Sequence, residues 1–395
     1  MKLILIKIGK AFKTLQRDGI LRGGKRVLTA FFALFRFVGK GDVLLITGGV
    51  GDSALYRVHH VAEELELNDI KCAITVQDNP FLASYAKKFK VFVFHRVLFT
   101  PSVQKMIEQI KAQNKEIIFE TDDLVYDPKY LEFMDYFKQM NAFEKKLYVN
   151  GVGGEILNDA DVKVCTTATA FLAQKLQEKN KQVFVVPNKL SKRDVEIAEN
   201  VRSQALRVEN QDSIKLGYFS GTLSHNKDFA TIASVLEKIM EKHQNVELFL
   251  AGPLDVENAL QKFGERIVQF PYVQREKHFA NLASVDINLV PLEKDNPFCE
   301  AKSELKFFEA GIVGVPTVAI ANQTFREAIE DGADGFLADS ELEWFEKLEK
   351  LITDEKLRKE MGERAREKAL EKYTTQNAKN EKYYNYLKSK INPVK

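Results

Sequence analysis

The sequence predicts an α/β protein built from two successive doubly wound, Rossmann-like domains. Three observations carry this. From residue 40 onward, short apolar runs rich in β-branched residues alternate with longer amphipathic stretches, the pattern of a parallel sheet covered on both faces. The alternation pauses once, over 189–213, and then resumes, so there are two series of six strands. A chain of 395 residues, 45% hydrophobic, is long enough to give each series its own core.

The first element, residues 1–40, is basic and aromatic. Ten Lys/Arg stand against one acid, Asp18, with Phe12, Leu28, Phe31, Phe32, Leu34, Phe35 and Phe37 among them. The net charge of +2 therefore averages +9 here over −7 elsewhere, where 48 bases face 55 acids. Such a segment suits the surface of an anionic membrane; packing as a helix pair on the first domain is the alternative. Its longest apolar run, Leu28 to Val38, contains Arg36 and is shorter than the ~20 residues a membrane span needs. The start has lysines and no small-residue cleavage site, so the expected compartment is the cytoplasm, with a place on the inner face of the membrane. Cys72, Cys165 and Cys299 lie far apart, without Cys-x-x-Cys spacing, and indicate neither a disulfide framework nor a metal site. The acidic remainder and the lack of a reading motif argue against nucleic acid.

The first domain, 41–190, has strand patterns at 43–47, 72–76, 91–95, 116–120, 162–166 and 183–187. After the first strand comes LITGGVGDSALYR, where Gly48, Gly49 and Gly51 would let a sugar or phosphate approach the backbone, with Tyr56 and Arg57 on the following helix. A plain tight turn explains the glycines equally well. Asp122 and Asp123 follow the fourth strand; adjacent carboxylates there cap a helix or bind a ligand. The polar segment 191–213 reads as an interdomain connection. The second domain, 214–372, has strand patterns at 215–220, 246–252, 267–273, 287–292, 317–321 and 335–338. Helical spacing resumes from 341, and the helix in 373–395 is expected to return to the first domain.

The stretch NPFCEAKSELKFFEAGIVGVP, 296–316, carries the chemistry. On a helix beginning near Lys302, Lys302, Lys306 and Glu309 share one face and Leu305, Phe308 and Ile312 the other. Two lysines and Ser303 beside the free N–H groups of a first turn suit phosphate, and Glu309 lies where ribose hydroxyls would reach it. A surface helix with a Lys306–Glu309 ion pair is the plainer reading.

The run KSELKFFEAGIVGVPTVA resembles the signature of GT-B fold glycosyltransferases of the family-4 type, as found in bacterial cell-surface polysaccharide synthesis. Glu309 matches the motif's second glutamate, and Lys306 matches a Lys-x-x-Glu variation. The first glutamate falls near Glu300, one residue outside the motif spacing, and Lys302-Ser303 replaces the usual glycine-rich turn. In SGTLSHNKDF, Gly221 and Lys227 match a donor-binding motif whose arginine is here Thr222. Gly252 and Val273 fall where the family's strand ends reach the nucleotide, and Asp122 stands where the family carries a histidine that contacts the donor sugar.

The resemblance, over about 42–390, implies a GT-B architecture and a retaining transfer of sugar from a UDP-, GDP- or dTDP-sugar to a glycan or lipid-linked acceptor. It implies no tightly bound cofactor and no metal. Gly221, Lys227, Gly252, Val273, Lys302, Ser303, Lys306 and Glu309 would bind the donor. Asp122 and Glu300 are the candidate catalytic groups, while Gly48, Gly49, Gly51, Tyr56, Arg57 and Asp123 face sugar and acceptor. Closure of two domains on a cleft would complete the site. A nucleotide-sugar epimerase, a non-catalytic membrane partner, and a metal-dependent GT-A enzyme using Asp122–Asp123 or Asp159 and Asp161 remain as rivals.

Overall fold

The computed structural model describes residues 23–25, 28, 31–32, 34–35, 37–49, 51–133, 137, 140–142, 145, 149–205, 213–220, 226–252, 254, 258–271, 273 and 275–393. It divides into two units, Met1–Pro187 with Lys379–Lys395, and Asn188–Ala378. Gly221 and most of the basic residues of 1–40 lie outside the described residues.

Each unit is one six-stranded sheet with every pairing parallel. In the first, β1 (Val43–Thr47), β2 (Cys72–Val76), β3 (Val91–His95), β4 (Glu116–Thr121), β5 (Val164–Thr167) and β6 (Gln182–Val185) are ordered β2-β1-β3-β4-β5-β6. In the second, β7 (Ile214–Phe219), β8 (Val246–Ala251), β9 (Ile267–Phe270), β10 (Ile287–Val290), β11 (Thr317–Ile320) and β12 (Phe336–Ala338) run β12-β11-β10-β7-β8-β9. All twelve expected strands are present. Central strands β1 and β3 are buried at every residue, whereas the edge strand β6 has none buried. This gradient explains why the apolar runs are continuous rather than alternating.

The first core joins Val43, Leu45, Val93 and Ile118 of the sheet to Val61 and Leu65, and to Tyr383, Tyr384 and Leu387 of the helix Glu381–Ile391. Each such side chain contributes about 1.5–3 kcal/mol when removed from water. The Tyr384 hydroxyl donates to Glu64 Oε1 at 2.5 Å, and Asn380 Nδ2 to the Val185 carbonyl at 2.9 Å, which fixes that helix on the first unit. The second core joins Leu216, Leu248, Ile287 and Leu289 to Phe229, Leu236, Trp344 and Leu348.

Two expectations are corrected. The polar segment 191–213 is not an open connection: it contains the helix Lys192–Ala205, within the second unit. Its start is held by Ser191 and Asp194, each side chain accepting from the other's backbone N–H, at 3.2 and 3.0 Å. The helix placed near Lys302 begins instead at Leu305 and ends at Ile312, because Asn296 and Pro297 start a separate short helix, Pro297–Glu300, and Lys302-Ser303 forms the link. No helix among the described residues is long and apolar enough to cross a membrane.

Candidate functional site

In open α/β sheets ligands bind beyond the carboxyl ends of the strands, where the order reverses. In the first unit that point lies between β1 and β3, whose last residues Thr47 and His95 are register partners. Thr47 Oγ1 sits 3.2 Å from His95 Nδ1, and Ser53 Oγ sits 3.0 Å from His95 Nε2 while donating to Asp122 Oδ2 at 2.7 Å. Arg96 then closes the cluster. Its Nε lies 2.6 Å from Asp122 Oδ1 and its Nη2 2.9 Å from Asp123 Oδ2. Arg96 has φ +47°, a left-handed backbone that costs a non-glycine residue roughly 1 kcal/mol or more, offset here by its two carboxylate contacts.

Burial alone would raise the Asp122 pKa, but Arg96, His95 and Ser53 outweigh it and hold the carboxyl well below the usual carboxylate range. A carboxylate so stabilised is a poor proton acceptor and a good acceptor of hydrogen bonds. Gly48 makes the arrangement possible: a Cβ there would lie 1.9 Å from the Arg96 carbonyl oxygen. The close approach that the glycine permits is thus to the protein's own backbone. Gly49 and Gly51, by contrast, border open space.

Tyr56 and Arg57 are 3% and 1% exposed, and both are engaged within the first unit. The Tyr56 ring packs edge-on against His60 at 4.9 Å. Arg57 forks onto Glu120, Nε to Oε1 at 2.8 Å and Nη2 to Oε2 at 3.2 Å, and donates through Nη1 to the Val186 carbonyl at 2.5 Å. Thr166 also donates to Glu120. This buried pair ties together the helical segment, β4 and the end of β6, and so supports Asp122 from below.

In the second unit the order reverses between β7 and β10. Asp228, 1% exposed and one residue after Lys227, accepts from the Glu293 backbone at 3.1 Å and the Cys299 thiol at 3.2 Å, and pairs with Lys302 Nζ at 2.7 Å. Ligand atoms of Asp228, Glu293 and Cys299 lie within 4.8 Å of one another, but the cation that Asp228 holds is the Lys302 ammonium. Lys306, one turn on, differs. Its Nζ is buried, faces the Tyr218 ring at 4.5 Å and has no hydrogen-bond partner among the described residues. Burial, followed by Lys302, pushes its pKa down to about 8, with Asp228 and Glu309 opposing. A buried ammonium without an acceptor is costly unless an anion completes it.

The plain Lys306–Glu309 pair does not form. Glu309 Oε1 instead receives Arg275 Nη1 at 2.9 Å and Oε2 lies 3.1 Å from His278 Nε2. Ser303 Oγ accepts from Asn188 Nδ2 at 2.9 Å, and Lys227 is exposed on the short helix Asn226–Ala230. Gly252 ends β8 in a left-handed turn at φ +95°, and half-buried Val273 follows β9. Glu300 is half-buried, its pKa raised by burial and by Asp295. Glu304 occupies the N-cap position of the Lys306 helix, its pKa pushed up to about 7 by burial against its own backbone N–H, Lys189 and the Tyr373 hydroxyl.

The structure thus brings Lys302, Ser303, Lys306 and Glu309 together on one link and helix, and Asp122 and Asp123 onto one clamp with Arg96. The sequence pattern did not reveal Ser53, Asp194, Arg275 or His278. The carboxyl end of β3 is the signal for His95 and Arg96. Arg275 and His278, on the helix Arg275–Leu282, carry none that periodicity detects.

Residues 204–368 match the family model described as glycosyl transferases group 1. Known structures share the fold across the chain at low identity. HepE of Anabaena, solved in complex with UDP and glucose, has a TM-score of 0.58 at 13% identity, covering 88% of this chain and 100% of its own. Sucrose-phosphate synthase of Thermosynechococcus elongatus gives 0.59 at 14% identity, covering 89% and 98%. A glycosyltransferase of Rickettsia africae gives 0.62 at 14%, covering 88% and 99%. No curated protein sequence matches the chain. The chain has the GT-B fold, and the family-model match lies within its second unit.

Proposed function

We propose that the protein is a retaining glycosyltransferase. It moves a sugar from a UDP-, GDP- or dTDP-sugar to a glycan or lipid-linked acceptor in cell-surface polysaccharide synthesis, on the cytoplasmic face of a membrane. The observation that carries this reading is Lys306, a buried ammonium without a hydrogen-bond partner among the described residues, set beside Lys302 at the carboxyl end of a doubly wound sheet. A diphosphate supplies the missing acceptor oxygens. Lys302, Ser303, Lys306, Lys227 and Gly221 bind it. Glu309 takes the ribose hydroxyls, and the backbone around Gly252 and Val273 takes the base.

The chemistry follows from these charges. As the bond from the anomeric carbon to the diphosphate breaks, negative charge grows on the phosphate oxygens, and cations already in place stabilise it without reorganising. The acceptor hydroxyl attacks from the side the diphosphate leaves, and that diphosphate takes its proton. Asp122 fits such a reaction as a binder of sugar or acceptor hydroxyls, since its depressed pKa disqualifies it as the base. Glu300 is the candidate for orienting the donor sugar, and Asp123 with the Gly49–Gly51 turn for the acceptor.

Calorimetry of UDP, GDP and dTDP against the full chain tests the reading. One of them should bind, and Lys306→Met should weaken it by roughly tenfold or more, the scale of a lost charged hydrogen bond. Absence of binding by all three would sink the proposal. Transfer of labelled sugar to an acceptor, as against isomerisation of free nucleotide sugar, separates a transferase from an epimerase.

A further inference from the structure

All strands of the first unit pair in parallel, so all six enter at one edge of the sheet, opposite the carboxyl ends where Asp122 and Arg96 meet. Five of the six are entered directly after a lysine: Lys71 before β2, Lys90 before β3, Lys115 before β4, Lys163 before β5 and Lys181 before β6. With neighbouring strands about 4.8 Å apart, this row is about 24 Å long. Crossover helices end at the same edge, and the carboxyl end of a helix attracts lysine. The second unit is wound in the same way and controls for that effect. Within the three residues before each strand, the first unit adds Lys40, Lys88 and Lys179, which makes eight lysines against Asp42, Asp69 and Asp161. The same positions of the second unit carry Arg266 against Asp212, Glu265, Asp286 and Asp334. The winding therefore does not require the charge.

Some of these lysines have local work. Lys115 Nζ donates to the Ala86 carbonyl at 2.8 Å, Lys181 Nζ to the Val162 carbonyl at 2.5 Å, and Lys90 pairs with Asp42 at 3.1 Å. Lys71, Lys163 and the neighbouring Lys87 are exposed and make no ion pair among the described residues; Glu66 and Asp69 are acids here of which the same holds. The aromatic segment leads into this edge. Phe37, 89% exposed, stands five residues before Asp42, whose N–H donates to the Lys71 carbonyl at 2.8 Å and whose carbonyl accepts the Lys90 N–H at 2.9 Å. Five residues span at most about 18 Å, so the exposed rings are tethered beside the lysines. The helix Glu381–Ile391 ends there too, with Lys390 on Glu116, the first residue of β4, at 2.8 Å.

We propose that the strand-entry edge of the first unit is a docking surface for an anionic membrane, with Lys71, Lys87 and Lys163 at the headgroups and the aromatic segment inserted beside them. Nucleic acid would use the lysines but leave the apolar row of Leu28, Phe31, Phe32 and Phe35 in water, whereas a bilayer covers both. The five residues of β3 then lead away from the lipid, so the Asp122–Arg96 clamp stands about 17 Å beyond the lysine row and clear of the headgroups.

The inference rests on the membrane placement proposed above and on no part of the nucleotide site. The full chain is titrated with vesicles of phosphatidylglycerol and phosphatidylcholine, about 3:7, in about 0.05 M salt. Lys71→Gln, Lys87→Gln and Lys163→Gln combined should lower partitioning by roughly tenfold to a hundredfold, at up to about fivefold for each lysine at the lipid. The same exchange at Lys105, Lys379 and Lys382, exposed residues of the first unit away from that edge, removes equal charge and should change partitioning by less than about threefold. In the wild type, vesicles should slow acetylation of Lys71, Lys87 and Lys163 and leave that of Lys105, Lys379 and Lys382 unchanged. Equal losses in the two triple variants, no loss in the first, or uniform protection of all six lysines overturns the inference, as does a wild type that binds no anionic vesicles. Tighter binding to a fluorescent DNA or RNA duplex than to vesicles, lost in the first triple variant, assigns the edge to nucleic acid and overturns it as well. In each of these cases the nucleotide reading stands. Calorimetry of UDP, GDP and dTDP should give the same result for the first triple variant as for the wild type, and a wild type that binds none of the three sinks the nucleotide reading while leaving the docking surface intact.

Discussion

Lys306 and Lys302 are four residues apart, both lysines, and chemically different. Both side chains are half-buried, but the Lys302 ammonium is neutralised by Asp228, whereas the Lys306 ammonium is itself buried over Tyr218 and makes no hydrogen bond among the described residues. The depressed pKa gives this difference a measurable sign. Without ligand, burial holds the Lys306 pKa down at about 8 in the folded protein, against the ordinary lysine value of 10.5 in the unfolded chain. Between those values the unfolded chain binds more protons, so Lys306 makes stability rise with pH across that window. Nucleotide affinity moves oppositely, because the diphosphate needs the charged form. Affinity should therefore fall as pH rises through about 8, and binding should take up a proton, seen as a buffer-dependent calorimetric enthalpy at that pH. Lys306→Met should abolish both effects. A wild-type affinity flat from pH 7 to 9, or the same slope in Lys306→Met, would place the phosphate elsewhere.

The helix Leu305–Ile312 is only eight residues long, and its own sequence does not place it. Its seat is the helix Glu355–Lys372, approached so closely that a Cβ on Gly362 would lie 2.1 Å from the Gly314 carbonyl oxygen. Gly362→Ala should therefore push the two apart, costing about 1–3 kcal/mol as overpacking does, and weaken nucleotide binding although it touches no ligand. Chemical denaturation with calorimetry checks this; lowered stability with unchanged affinity would mean that the seat does not control the lysines. The strands were legible because β-branched runs buried on both faces have no other reading. The helix start was not, since Asn296-Pro297 begins a separate turn and a face pattern cannot report an interruption. The helix Lys192–Ala205 was hidden by its polar composition, although Ser191-Lys192-Arg193-Asp194 has the spacing of a helix start. The Lys306–Glu309 pair was wrong for a related reason: neighbours along a helix are visible in sequence, whereas Arg275 and His278 reach Glu309 only through the fold.

At the scale of the whole molecule the charge is divided, with ten bases and one acid in residues 1–40 and a net −7 in the rest. Leu28, Phe31, Phe32 and Phe35 have helical spacing, and residues 28, 31, 32 and 34 are helical. These four apolar side chains are each more than half exposed, and Phe37 is 89% exposed. An apolar row turned to water is unfavourable by roughly 25 cal/mol for each Å² that an interface could cover, and the basic residues add about 1 kcal/mol apiece near anionic lipid. The two contributions respond to different perturbations. Wild-type protein should float with vesicles containing phosphatidylglycerol and not with purely neutral ones, and about 0.5 M salt should weaken that association without removing it. Replacing Phe31 and Phe35 together by Ser removes the insertion and leaves the charge, so the variant's association should vanish in the same salt. Absence of flotation with anionic vesicles, or identical salt curves for both proteins, would count against an anionic membrane surface. The lipid-linked acceptor would then lose its physical motive, while the nucleotide site, argued from Lys306, would not.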